Sequence, residues 1–164
     1  MNGLLIGRFQ PFHLGHLDAV LFALSRVENL WIGIGSSNKH NEKKNPFTAD
    51  ERREMIVSSI EPSIIDRINI FNIPDVDNHE KWTFEIDQMV PKYDIVFTND
   101  EFTKTLFGKQ GIDVITVTLK EREKFSGTNI RQLITDNKNW HDLVPKGTQL
   151  VLEKINANQR LKNL

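Results

Sequence analysis

Residues 3–16 read Gly3-Leu4-Leu5-Ile6-Gly7-Arg8-Phe9-Gln10-Pro11-Phe12-His13-Leu14-Gly15-His16, and the architecture follows from how this stretch divides. Residues 3–6 form a short, continuous apolar run bounded by glycine, the pattern of a strand buried on both faces. From residue 15 to 27 the apolar side chains Leu17, Val20, Leu21, Leu24 and Val27 recur at helical spacing. A buried strand that turns straight into a helix is the first half of a βαβ unit.

The same alternation continues along the chain. Residues 30–34 predict a second strand ending at Gly35. Thr48-Ala49-Asp50-Glu51 is a capping box that starts a helix running to Ile60. Residues 67–73 alternate and are β-branched, which predicts a third strand, and residues 79–90 a helix. Residues 95–98 predict a fourth strand and residues 101–107 a short helix ending at Gly108. Residues 112–119, rich in Val, Ile and Thr, predict a fifth strand. Ser126 opens a helix to about Thr135, and the tail beyond Trp140 and Pro145 reads as one more helix. Strands alternating with helices give an α/β fold: a parallel sheet of five strands or slightly more, with helices on both faces.

Length and charge narrow the function. The chain has 164 residues and a formal charge of −1. Residues 1–164 therefore read as one domain, with no net field to recruit nucleic acid or a membrane. It has no cysteine, which excludes disulfides and thiolate metal sites. No apolar run has signal-peptide or transmembrane length, so the expected location is cytoplasmic. Residues 36–45, rich in Ser, Asn and Lys, follow a strand and precede a capped helix. They read both as a solvated loop and as a binding rim, since ligands of open α/β sheets sit outside the carboxyl ends of strands. A lid is a third role for such a loop.

Two motifs carry chemistry. In the first, the chain leaves strand one and enters a helix near Gly15, where free N–H groups and the helix dipole favour an anion. His13 and His16 stand three apart at that entry, so both can face one anion. Their N–H groups donate to phosphate oxygens and can carry positive charge. Gly15 would leave room for a ligand near the backbone, and Arg8 adds a planar cation. Histidine pairs that hold a metal on a helix usually stand at i, i+4 with a carboxylate nearby, and no third ligand is obvious here. In the second motif, Lys120-Glu121-Arg122-Glu123-Lys124-Phe125-Ser126-Gly127-Thr128-Asn129-Ile130-Arg131, Ser126 is an N-cap. Gly127 and Thr128 lie in the first helical turn, and Arg131 reaches back toward it. Taken alone, this second motif reads as an ordinary capped helix with a surface arginine.

Together, His-x-Gly-His after strand one and Ser-Gly-Thr-x-Ile-Arg at a late helix resemble the nucleotidylyltransferase superfamily. The longer Gly-Arg-Phe-Gln-Pro-Phe-His-x-Gly-His is similar to archaeal-type nicotinamide-nucleotide adenylyltransferases. The likeness extends through Ile34-Gly35-Ser36, Asn45-Pro46-Phe47-Thr48-Ala49-x-Glu51-Arg52, Asn99, Trp140 and Leu143-Val144-Pro145. It implies a Rossmann-like fold and adenylyl transfer from ATP, with Mg²⁺ held mainly by the ATP phosphates, to nicotinamide mononucleotide in NAD biosynthesis. It implies a homo-oligomer as well. His13, His16 and Arg131 would be catalytic. Arg8, Phe9, Gln10, Ser36, Asn99, Arg122, Ser126, Gly127 and Thr128 would bind ATP. Asp75, His79 and Trp82 would bind the acceptor nucleotide, Trp82 by stacking on the nicotinamide ring. His79 stands where relatives usually have Asn, with Asn78 beside it. Other acceptors within the same chemistry are nicotinic acid mononucleotide, flavin mononucleotide and pantetheine phosphate. A rival class is a non-catalytic nucleotide sensor.

Overall fold

The computed structural model describes every residue except Asp77 and Lys120; of His79 and Glu80 only the backbone is described. Among the described residues the strands are β1 (Asn2–Gly7), β2 (Asn29–Gly35), β3 (Ile68–Ile73), β4 (Ile95–Thr98) and β5 (Asp113–Thr116). All pair in parallel, in the order β3-β2-β1-β4-β5. The helices are α1 (Leu14–Leu24), α2 (Ala49–Ser59), α3 (His79–Met89), α4 (Glu101–Lys109), α5 (Gly127–Thr135), α6 (Lys146–Lys154) and α7 (Ala157–Lys162).

The sheet separates two apolar layers because strand side chains alternate between faces. Leu5, Leu30, Ile32, Ile34 and Phe97 point to the larger layer, with Val20 and Ala23 of α1, Met55 and Ile56 of α2, Ile130 of α5 and Val151 of α6. Leu4, Trp31, Ile73 and Val96 point to the smaller one, with Ile86 of α3 and Phe107 of α4. Chain order reverses direction across β1 and β4, which lie side by side. Their carboxyl ends form the crevice where open α/β sheets bind ligands.

Three expectations about boundaries are corrected. The third strand starts at Ile68, because Arg67 ends a short 3₁₀ turn (Ile65–Arg67) and donates to the Leu24, Val27 and Glu28 carbonyls at 2.7, 2.8 and 2.8 Å. Strand five stops at Thr116 because its neighbour β4 ends at Thr98; one further bond, Val117 N–H to the Thr98 carbonyl at 3.1 Å, closes the ladder. The tail is two helices rather than one, since Asn156 takes a left-handed conformation (φ 53°, ψ 57°) between α6 and α7.

Candidate active site

The turn after β1 places His13 at the N-cap of α1 and His16 at its third residue. Each imidazole Nδ1 accepts from the other residue's backbone N–H, at 3.1 and 3.3 Å. This is a capping box built from two histidines. The rings stack with centroids 3.6 Å apart, and His16 meets Phe9 edge-on at 4.9 Å. Because both Nδ1 atoms are acceptors, each ring carries its proton on Nε2 and offers that N–H as a donor. Burial holds the His13 pKa down to about 4. Burial, with the nearby His13, also holds His16 well below the ordinary histidine range. In the free protein the pair is therefore a set of neutral donors. A Cβ on Gly15 would stand 2.9 Å from His13 Cε1. The glycine makes room for the His13 ring.

The second motif folds onto the first across more than a hundred residues. Ser126 caps α5 by accepting from the Asn129 N–H at 3.1 Å. Arg131 reaches back one turn and donates to the Gln10 carbonyl at 2.7 Å. A Cβ on Gly127 would lie 2.7 Å from Arg131 Nη1 and 2.9 Å from that same carbonyl, so glycine lets the two segments close. Burial and then the charge of Arg8 lower the Arg131 pKa. Arg8 itself is exposed. Arg8, Arg131 and the buried Arg52 form a local excess of positive charge where the β1 turn, β2 end and α5 start converge.

Two concavities meet the carboxyl end of β1 at Ile6 and Gly7. A small one of about 150 Å³ is lined by Gly7, Phe9, His16, Thr98, Asn99 and Leu119, at the β1–β4 reversal. The larger cleft, about 850 Å³, lies above β1, β2 and β3 and includes Arg8, Ser36, Lys39, Asp75, Trp82 and Phe102 in its lining. Asp75 accepts from the Ser36 hydroxyl at 2.8 Å and pairs with Lys39 at 3.1 Å, while its N–H donates to Asn38 Oδ1 at 3.0 Å. Partial burial pushes the Asp75 carboxyl up, but the bonds from Ser36 and Lys39 outweigh it and hold the pKa below its ordinary value. Trp82 is half-buried: its ring packs edge-on against Phe107 at 5.9 Å and still lines the cleft.

The family follows from the chain as a whole. Residues 4–133 match the cytidylyltransferase-like family, a span that includes both motifs. The chain belongs to the cytidylyltransferase-like family. Curated relatives in it include the nicotinamide-nucleotide adenylyltransferases of Saccharolobus solfataricus, 40% identical over 99% of this chain and 96% of that protein, and of Pyrococcus horikoshii, 36% identical over 100% and 89%. Among solved structures, a bifunctional NMN adenylyltransferase/ADP ribose pyrophosphatase from Francisella tularensis has the same fold, with a TM-score of 0.79 at 22% identity. This chain covers 51% of that protein's length, and 98% of this chain is matched.

Within this family member, the fold brings His13, His16, Gly127, Ser126, Thr128 and Arg131 together, with Arg8, Ser36, Asp75 and Trp82 around the neighbouring cleft. Phe9 lines the small concavity beside His16, and Gln10 follows it in the same turn. The Phe9 ring is 1% exposed, and the Gln10 side chain spends both its groups on the Phe47 backbone, at 3.1 and 3.0 Å. Gln10 orients Arg131 through its carbonyl. Arg122 lies exposed on the turn before α5 and lines neither concavity. The side chain of His79 lies outside the described residues. Sequence reading missed Asn38 and Lys39 as partners of Asp75, and it quoted Arg52 without a role. Residues 36–39 line or border the cleft, whereas residues 40–44 are exposed, so the loop serves as both rim and solvated surface. No described helix is long and apolar enough to cross a membrane.

Proposed function

We propose that this chain transfers the adenylyl group of ATP to nicotinamide mononucleotide, forming NAD and releasing pyrophosphate. The carrying observation is the stacked pair of neutral imidazoles, both locked by backbone bonds with Nε2–H left to donate, beside three guanidinium groups. The 5′-phosphate oxygen of the acceptor would attack the α-phosphorus in line as the bond to pyrophosphate breaks. That nucleophile is already an anion, so no proton needs removing. Catalysis is then positioning plus charge stabilisation. His13 and His16 would donate to the phosphoryl oxygens; Arg131, Arg8 and the N–H groups of Gly127 and Thr128 would take the leaving pyrophosphate. Arg122 would approach the triphosphate from the turn before α5. Asn99 and Ser36 would edge the ATP side, and Asp75, Trp82 and His79 the acceptor side.

Among the described residues no group of three or more His, Asp or Glu is placed to hold an ion. Mg²⁺, which shields phosphate charge, would arrive on the ATP phosphates with its water. The resemblance extends the proposal to a cytoplasmic homo-oligomer. A second acceptor has support of its own: Lys39 lines the cleft beside Asp75 and would meet the ring carboxylate of nicotinic acid mononucleotide.

The test is pyrophosphate release from ATP and Mg²⁺ with four acceptors in parallel: nicotinamide mononucleotide, nicotinic acid mononucleotide, flavin mononucleotide and pantetheine phosphate. NAD formed in step with pyrophosphate is the expected result. Faster release with another acceptor keeps the chemistry and moves the specificity. Folded protein that binds ATP but releases nothing with any of them refutes the proposal and favours a sensor.

A further inference from the structure

Arg52 is fully buried on the inner face of α2. Its guanidinium is spent entirely on backbone carbonyls. Nε donates to Thr48 at 3.1 Å, Nη1 to Arg8 and Gly35 at 2.9 Å each, and Nη2 to Ser36 and Lys39 at 3.3 Å each. The adjacent carboxylate, Glu51, is engaged elsewhere: it pairs with Arg160 at 2.6 and 2.8 Å. Burial, opposed by Glu51 and reinforced by Arg8, pulls the Arg52 pKa down to about 10, so it stays charged at neutral pH. A buried charge without an ion-pair partner of its own is costly unless fixed dipoles satisfy it. Filling this space for stability alone would call for an apolar side chain.

The choice of carbonyls gives the reason. One belongs to Arg8, the cation beside the phosphate turn. Two others belong to Ser36 and Lys39, whose side chains hold the Asp75 carboxylate. The planar fork of arginine can span such separated acceptors, whereas a lysine ammonium is a single point with three donors. Resting on the adenylyl-transfer reading of the cleft, we infer that Arg52 is a positioning residue. It fixes the phosphate arm (Arg8) relative to the acceptor arm (Asp75, whose carboxylate the Ser36 and Lys39 side chains hold), and so sets the affinity for both nucleotides while touching neither.

The test is calorimetric binding of ATP–Mg²⁺ alone and of nicotinamide mononucleotide alone, to the full chain. Arg52→Lys is expected to weaken both by about tenfold while the protein melts cooperatively. The decisive readout is the pair of double-mutant cycles. In an Arg8→Ala background the same change should cost ATP affinity no more than about twofold, and in an Asp75→Ala background it should cost acceptor affinity no more than that, because the arm it positions is already gone. Losses that multiply in the doubles, a loss confined to one nucleotide, or unchanged affinities in the single variant would overturn the inference. If Arg52→Lys does not fold, Arg52→Gln is measured the same way; if neither folds, Arg52 is a folding residue and the inference fails. Wild-type protein that binds both nucleotides without turnover would sink the catalytic reading alone and leave the cycles to judge Arg52.

Discussion

Gly15→Ala isolates how the histidine pair is held. The added Cβ would stand 2.9 Å from His13 Cε1 and 3.1 Å from Nδ1, where ordinary contact begins at 3.4 Å, so the ring must retreat by about 0.5 Å. It cannot move toward His16, already stacked at 3.6 Å between centroids. Moving away loosens at least one of the two reciprocal cap bonds, a loss of about 1 kcal/mol. Replacing glycine by alanine in a helix returns up to about 1 kcal/mol. Stability should therefore change by no more than about 1 kcal/mol, a shift of roughly 2–4 °C in Tm for a chain of this size. The Nε2–H donors, however, move by a similar half ångström, and displaced donors in such a site cost about 10²-fold in rate. The expected outcome is a near-normal melting curve with kcat for pyrophosphate release down by about 10². A proton NMR titration separates this from a plain clash with ligand. A displaced His13 ring should titrate above the value of about 4 set by its burial. Turnover near wild type refutes the reasoning, and so does lost turnover with an unmoved His13 titration, which would return Gly15 to the role of ligand clearance.

Three further outcomes are expected. His16→Ala should lower kcat by at least about 10² in protein that still folds, since it removes a positioned donor; unchanged turnover takes His16 out of the chemistry. Trp82→Ala should raise the KM for the acceptor far more than that for ATP, because the ring lines the cleft as well as packing on Phe107; equal damage to both would make it a core residue only. The free protein should lose stability as pH falls from 6.5 toward 4. His13 is held neutral with a pKa near 4 in the folded state, while the unfolded chain takes up its proton around 6.5. The full loss is on the order of 3 kcal/mol, complete only below both values. Urea midpoints that stay level between pH 7 and pH 5 would show that the ring is not buried neutral.

How much of this was legible in the sequence depends on whether the signal was local. The central strands β1, β2 and β4 read as continuous, largely buried apolar runs, and Thr48 with Glu51 and Ser126 announced two helix starts that the fold keeps. The length of β5 and the break at Asn156 were not legible, since the first depends on where a neighbouring strand ends and the second on one residue's backbone choice. In the site, the His13–His16 spacing was plain, but its use as a cap was not, because histidine is not a usual N-cap residue. The signal was present all the same: residues at N-cap and N3 are the spacing of the Thr48–Glu51 box. Arg52 was hidden most fully. In Thr48-Ala49-Asp50-Glu51-Arg52-Arg53 it looks like one more charge on a solvated helix, and only the carbonyls that gather around it from three segments distinguish it from Arg53.

The positive charge of the site is arranged to act together. Burial and the charge of Arg8 lower the pKa of both Arg131 and Arg52, so Arg8 is coupled to each of the other two guanidinium groups. Half-buried Arg131 and buried Arg52 are tied to carbonyls rather than to a carboxylate, Arg131 to Gln10 and Arg52 to five backbone oxygens. Ties of this kind fix direction without cancelling charge. A bound polyphosphate would therefore meet cations already oriented and not neutralised, and would relieve their mutual repulsion as it settled. The histidines complement this by being neutral. Stacked at 3.6 Å, two protonated rings would repel each other, whereas two neutral rings can both donate. Fixed cations for the charge that is present throughout, and neutral donors for the oxygen on which charge grows, are the division that adenylyl transfer to an anionic acceptor requires.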